Sequence, residues 1–328
     1  MSSPSHSVRC TSSTGDVISR DGTRVRTWTN GASGVPLVIS NGFGAPPSAW
    51  PRLAEPDCGF AAVSWWHRGL GGSERPEDRT RIRVEDHAAD LEATMDAVGH
   101  ERAVVLGWSL GVNVAFEFAR TRPDRVAGIL GVGGVPGRSV HAFGPPGLPG
   151  ALRAGAGRAA AWSLRLLGPP AAALAWPAVE SARALGARHL PPFPDPVPSA
   201  AVARQFAAHP WSWYSELLLA AGDQPAAGTG SVSFPVTLVS GTYDVGAAAP
   251  DVRAAATAIP HARFVPLVGS HFLPLEQPDG VHEELVSLAA RCSFARTPRG
   301  LPGQERGRAP VGSATARSAR ARAARGRR

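Results

Sequence analysis

The stretch Val104-Val105-Leu106-Gly107-Trp108-Ser109-Leu110-Gly111 constrains this chain more than any other. Its apolar start reads as a buried strand and its end is Gly-x-Ser-x-Gly. Leu110, Val114, Ala115 and Phe118 then mark one face of a helix that stops at Arg122 before Pro123. A strand that turns at once into a helix needs a sharp corner, with Ser109 at its tip. Side chains at positions 107 and 111 would collide there, which accounts for both glycines. A chain with 37 Gly can match the pattern by chance, so the surrounding sequence decides its meaning.

That surrounding sequence alternates strands with helices. Residues 16–29 read as a hairpin around Asp21-Gly22, and residues 36–40 as an apolar strand. The segment Asn41-Gly42-Phe43-Gly44-Ala45-Pro46-Pro47 cannot pair back as a strand, so it is a loop leaving a strand end. Residues 60–66 form the next apolar run, with a glycine-rich exit from His67 to Ser73. It lacks Gly-x-Gly-x-x-Gly and no helix follows directly, so it is not a phosphate loop. Val84, Ala88, Leu91, Met95 and Val98 recur at helical spacing, acids fill the first turns, and Gly99 closes the helix. Strand, helix and strand in about 45 residues make a βαβ unit, hence an α/β chain with a mostly parallel sheet. Further strands are expected at 126–132, 234–240 and 263–267, with helices around 250–259 and 278–291. Pro266 puts the last strand at a sheet edge.

Between these strands, residues 135–231 are rich in Ala and Pro, with helical runs around 150–167, 171–188 and 200–221 and no clear strand. They read as a helical insertion, a cap over the carboxyl ends of the strands, or as further core helices. The expected division is a disordered start at 1–15, a core at 16–134 and 232–291, the cap at 135–231, and a disordered Arg-rich tail at 292–328. All 34 basic residues are Arg. The ten Arg and one Glu after position 291 hold more than the whole net charge of +8, so the rest of the chain is slightly negative. The tail has almost no aromatic residues, and nucleic-acid binding is not expected of it. Cys10, Cys58 and Cys292 are too scattered for a disulfide framework or zinc site. The start carries no secretory signal, and no run is apolar enough to span a membrane; a cytoplasmic protein is expected.

Serine is a weak nucleophile, so it needs a base within hydrogen-bond reach and a carboxylate to orient that base. For this topology the chain order is Ser, acid, His. Asp244 follows one strand and His271 the next, so both should emerge at the edge of the sheet that carries Ser109. Asp223 lies inside the insertion, and the loop after 126–132 (Gly133, Gly134, Val135, Pro136) offers no acid. The backbone N–H groups of Leu110 and Phe43 are candidates for an oxyanion hole. Trp108, Trp162, Trp211 and Trp213 are candidate apolar walls of a substrate pocket, and the set implies neither metal nor cofactor.

Taken together, residues 16–291 resemble the α/β-hydrolase superfamily, in its lidded serine esterase subgroup. His67-Arg-Gly-Leu-Gly-Gly-Ser73, Arg122-Pro-Asp-Arg-Val126 and Gly269-Ser-His-Phe-Leu-Pro-Leu-Glu-Gln-Pro278 are similar to superfamily segments. The Gly-Trp-Ser-Leu-Gly elbow is similar to that of pimeloyl-acyl-carrier-protein methyl ester esterases. The resemblance implies a triad of Ser109, Asp244 and His271 and an acyl pocket shaped by residues 135–231. Hydrolysis of a small-molecule ester or thioester through an acyl-enzyme follows, with perhydrolysis, acyl transfer or C–C bond hydrolysis as alternatives and a non-catalytic binding protein as the outsider. Relatives that open epoxides or remove halide carry a carboxylate at the elbow, where this chain has Ser109. Asn41 stands where the family usually has His, and Val112 where many relatives have Gly.

Overall fold

The structure is a computed structural model that describes residues 12–144, 147–184, 202, 204–222, 224–225, 232–292 and 294. Eight strands form one sheet: β1 (Ser13–Ile18), β2 (Arg24–Thr29), β3 (Val35–Ser40), β4 (Phe60–Trp65), β5 (Ala103–Trp108), β6 (Val126–Val132), β7 (Val236–Gly241) and β8 (Arg263–Leu267). Their order is β1-β2-β4-β3-β5-β6-β7-β8, with β2 antiparallel to both β1 and β4 and every pair from β4 through β3 to β8 parallel. The chain moves outward from β3 to β4, then returns to place β5 on the other side of β3. This reversal opens a crevice at the carboxyl ends of β3 and β5, the place where α/β sheets bind ligands.

The parallel strands read as continuous apolar runs because both faces are covered. On one face Val38, Val105 and Ile129 pack with Leu91 and Met95 of α1 (Val84–Ala97), Val114 and Phe118 of α2 (Gly111–Thr121) and a later helix around Val252. On the other, Leu37, Ile39, Val104 and Leu106 pack with a C-terminal helix that carries Val281, Leu285 and Leu288. Pro266 does sit in the edge strand.

The segment between β6 and β7 contains α3 (Ser139–Ala142), α4 (Gly150–Ala184) and α5 (Trp211–Gly222), and no strand among the described residues. After β7 come α6 (Ala249–Thr257), α7 (Leu273–Glu276) and α8 (Pro278–Arg291). Three boundaries differ from the sequence expectation. Strand β1 begins at Ser13, inside the start expected to be disordered, because Ser13 and Thr14 pair with Thr29 and Trp28. The tail likewise begins later than 292, since Cys292 and Phe294 pack against the core. Helix α4 runs through Pro169-Pro170, where a break was expected, and the adjacent Gly168 lies against the Trp211 indole. The remainder of the expected helix at 171–188, with residues 1–11 and 295–328, falls outside the described residues. No described helix is long and apolar enough to cross a membrane.

The hairpin is tied to the parallel part by Arg68, whose guanidinium is buried. It donates to Asp90 at 2.9 and 2.8 Å, to Asp21, to Ser19 Oγ at 3.1 Å and to the Arg81 carbonyl at 2.8 Å. Burial alone would raise the Asp90 pKa. The neighbouring His87 ring and the Arg68 guanidinium instead hold it down at about 2.

The corner after β5 holds Ser109 at φ 57°, a left-handed conformation unusual for any residue but glycine. A Cβ on Gly107 would stand 2.8 Å from the Gly111 carbonyl, as the turn geometry requires. A Cβ on Gly111 would overlap the Ser40 carbonyl oxygen of the neighbouring strand. The elbow is therefore pressed against the end of β3 as well as folded on itself.

Three substitutions test this packing, each read by urea unfolding. Asp90→Asn leaves Arg68 short of its partner, at an expected cost of about 3–5 kcal/mol by urea unfolding at neutral pH. Because the folded pKa of Asp90 is depressed, this stability is present above the unfolded carboxylate value of about 4. It is lost as pH falls toward about 2, so wild type and variant should converge over that window. Gly111→Ala should destabilise by about 3 kcal/mol. Gly155→Ala, in α4 with nothing within 4 Å of the added methyl, should be neutral or stabilising by up to about 1 kcal/mol.

Candidate active site

Three side chains singled out in the sequence meet at the carboxyl edge of the sheet. The left-handed turn lifts Ser109 above β5, and the β6 carbonyl of Val132 accepts its N–H at 2.9 Å. The loops after β7 and β8 are stitched together, the Thr242 and Tyr243 N–H groups donating to Leu267 and Gly269 carbonyls at 2.9 Å. This brings Asp244 and His271 into register. His271 Nε2 lies 2.8 Å from Ser109 Oγ, and Nδ1 lies 2.9 and 3.0 Å from the two Asp244 oxygens. A carboxylate only accepts, so Nδ1 carries the proton and Nε2 is free to take one from the serine.

Each member of the set is itself braced. The Asp244 side chain is fully buried, and its Oδ1 accepts the Gly246 and Ala247 N–H groups at 2.7 and 2.8 Å, which hold it aimed. There is no room beside it, since a Cβ on Gly246 would come within 2.9 Å of His271 Nδ1. The His271 loop is gripped by Glu276, which accepts from Ser270 N–H at 2.5 Å and Ser270 Oγ at 2.6 Å. Sequence reasoning missed these braces, although Asp244-x-Gly246 is a recognisable Asx-turn signal.

The Phe43 loop lies against the elbow, with a Cβ on Gly42 reaching 3.4 Å from Ser109 Cβ. Neither the Phe43 nor the Leu110 N–H is taken up by another described group, so both are available to a developing negative charge. Asn41 keeps a bracing role at the position where His was expected. Its amide donates to Ser64 Oγ at 2.8 Å and its oxygen accepts the Trp50 indole N–H at 2.5 Å. Val112 fills the space behind the elbow, with Cγ2 2.7 Å from where a Gly134 Cβ would sit.

The four tryptophans expected to wall the pocket are dispersed. Trp108 is buried behind the site, where its indole donates to the His271 carbonyl at 3.0 Å and meets Trp50 edge-on at 5.9 Å. Trp213 is buried away from the site, its N–H held by the Arg68 carbonyl at 2.7 Å. Trp211 packs on Gly168, Phe206 and Tyr214, and Trp162 is 54 % exposed on α4. Tryptophan has two large faces and an N–H, and the four side chains meet these needs in different surroundings, Trp108 and Trp213 by donating to backbone carbonyls. No cluster of His, Cys, Asp and Glu able to hold a metal exists among the described residues.

Comparison with known proteins agrees with this architecture. Epoxide hydrolase B from Mycobacterium tuberculosis is 32% identical over 140 residues, 40% of this chain and 36% of that protein, so the match spans little more than a third of the relative. A thermophilic esterase from Thermogutta terrifontis superposes with TM-score 0.64 at 23% identity, over 85% of this chain and 98% of that one. The enol-lactonase from Burkholderia xenovorans LB400 does so with TM-score 0.64 at 22% identity, over 84% and 100%. At such identities the likeness is one of fold. The family profile described as alpha/beta hydrolase fold matches residues 35–278, from the first parallel strand to the helix after the last, and the chain belongs to that family.

Proposed function

We propose that this protein is a serine hydrolase that cleaves a carboxylic ester or thioester through an acyl-enzyme on Ser109. The observation that carries the reading is the 2.8 Å approach of Ser109 Oγ to His271 Nε2, with Asp244 on the opposite nitrogen. His271 takes the hydroxyl proton as Ser109 attacks the carbonyl, and the Phe43 and Leu110 N–H groups receive the oxyanion. His271 then returns the proton to the leaving alcohol or thiol, and water repeats the sequence to release the acid. Asp244 holds the productive tautomer and stabilises the imidazolium.

The nucleophile argues against the epoxide chemistry named for one relative. Attack of a serine oxygen on an epoxide carbon would leave an ether, which this machinery has no means of hydrolysing. Attack on an acyl carbon leaves an ester, which it can open again. An acyl-enzyme can also pass its acyl group to an alcohol or to peroxide, so acyl transfer and perhydrolysis share every step up to the acceptor. A non-catalytic role fits poorly, because buried bracing of Asp244 and a strained Ser109 are costs that binding alone would not require. Residues 135–231 act as the cap in this reading. Tyr243, Val245 and Phe272, exposed on the loops that carry Asp244 and His271, favour a small substrate with an apolar acyl part. The free Cys58 and Cys292 fit a reducing cytoplasm.

A fluorophosphonate probe should label the wild type and leave Ser109→Ala unlabelled; a folded wild type that never labels overturns the proposal. Asp244→Asn should stay folded and lower kcat on p-nitrophenyl esters by about 10⁴-fold, since the wrong tautomer is then favoured.

A further inference from the structure

The loop that carries the Phe43 N–H has little backbone support of its own. The β3 ladder ends at Ser40 opposite Gly107, and between Asn41 and Ala45 only the Ala45 N–H finds a backbone acceptor among the described residues, the Gly42 carbonyl at 3.0 Å. Its remaining support comes from side chains. The Phe43 ring lies against His67 and His87, with centroids 4.5 and 5.1 Å away. The next two carbonyls are held from the segment between β6 and β7. Tyr214 Oη–H donates to the Phe43 carbonyl at 3.1 Å, and His209 Nε2 lies 2.9 Å from the Gly44 carbonyl, to which it must donate. Both residues are buried, and their rings stack 5.5 Å apart at 6° between planes, with Phe206 edge-on to each at 5.3 Å.

We propose that Tyr214 and His209 are positioning residues for acyl transfer, holding the Phe43-Gly44 segment so that the Phe43 N–H is aimed at the oxyanion. This rests on the serine hydrolase reading above. Fixing the other substituents of a Cα fixes where its N sits and leaves rotation about the N–Cα bond as the freedom that aims the N–H. At Phe43 the ring is fixed by His67 and His87, and the carbonyl by Tyr214. At Gly44, φ is 78° and a Cβ would overlap His209 Nε2, so the chain here is shaped to bring the His209 ring against the backbone. Burial pushes the Tyr214 phenol above its usual range and the His209 imidazolium below, which keeps both groups neutral donors. The helical segment would thus act on the chemistry itself, by supporting the oxyanion donor, besides covering the crevice.

The test uses Tyr214→Phe, which removes only the hydroxyl, and the pair His209→Leu and His209→Gln, of which the second restores an N–H donor. Two readouts are taken on the full chain well below its melting temperature: the second-order rate of Ser109 phosphonylation by a fluorophosphonate, and kcat and KM for p-nitrophenyl acetate. A positioning role predicts that Tyr214→Phe and His209→Leu each lose about tenfold in phosphonylation rate and kcat, with KM within about twofold. His209→Gln should recover most of the loss, a hydrogen bond of ordinary strength being at stake. Folded variants with unchanged rates, altered only in melting temperature, overturn the inference. Should His209→Leu fail to fold, Tyr214→Phe decides alone. A wild type that neither labels nor turns over sinks the serine hydrolase reading itself, whereas a labelled wild type with an unaffected Tyr214→Phe sinks only this one.

Discussion

The contact on which the rest depends is backbone against backbone, where the amino end of α2 meets the last carbonyl of β3. Gly111 sits so close to the Ser40 oxygen that no side chain fits between them. That closeness joins two loops lying far apart in sequence, the elbow that lifts Ser109 and the turn that presents Phe43. Because β3 and β5 are neighbours where the strand order reverses, the Ser109 and Phe43 loops arise from one junction. Hard contact places the elbow against the end of β3, while the Phe43-Gly44 segment beyond it depends on side chains.

The opposite side of the site is assembled by a different means. Asp244 and His271 leave the sheet on adjacent strands, and their loops are joined by main-chain hydrogen bonds, with Glu276 gripping the His271 turn. The carboxylate is satisfied by two backbone N–H groups before it meets the imidazole. A buried polar group left without such donors costs stability, so these two N–H groups are what let the side chain sit inside the fold.

The strands, the helices and the meeting of Ser109, Asp244 and His271 were legible in the sequence because they depend on periodicity and on position relative to strand ends. Ser109, Asp244 and His271 each follow an apolar run, and that run predicts where they emerge. The partners of the tryptophans were not legible because residue type says little about direction: Trp213 and Tyr214 are sequence neighbours, yet one reaches the Arg68 carbonyl and the other the Phe43 carbonyl. His209 offered no signal at all, since its meaning comes from a carbonyl 165 positions away. Asn41 was legible as a departure, but its partners Ser64 and Trp50 were not, because the sheet brings them together only after folding.

The edge position of β8 carries a further consequence. An outer strand is an open template on which another chain can add itself, and the histidine loop grows directly from this one. Pro266 has no N–H to offer an incoming strand, and Arg263, exposed near the start of β8, adds charge where a flat apolar edge would be sticky. The loop that carries His271 can therefore stand at the border of the sheet beside a strand poorly suited to pair with another.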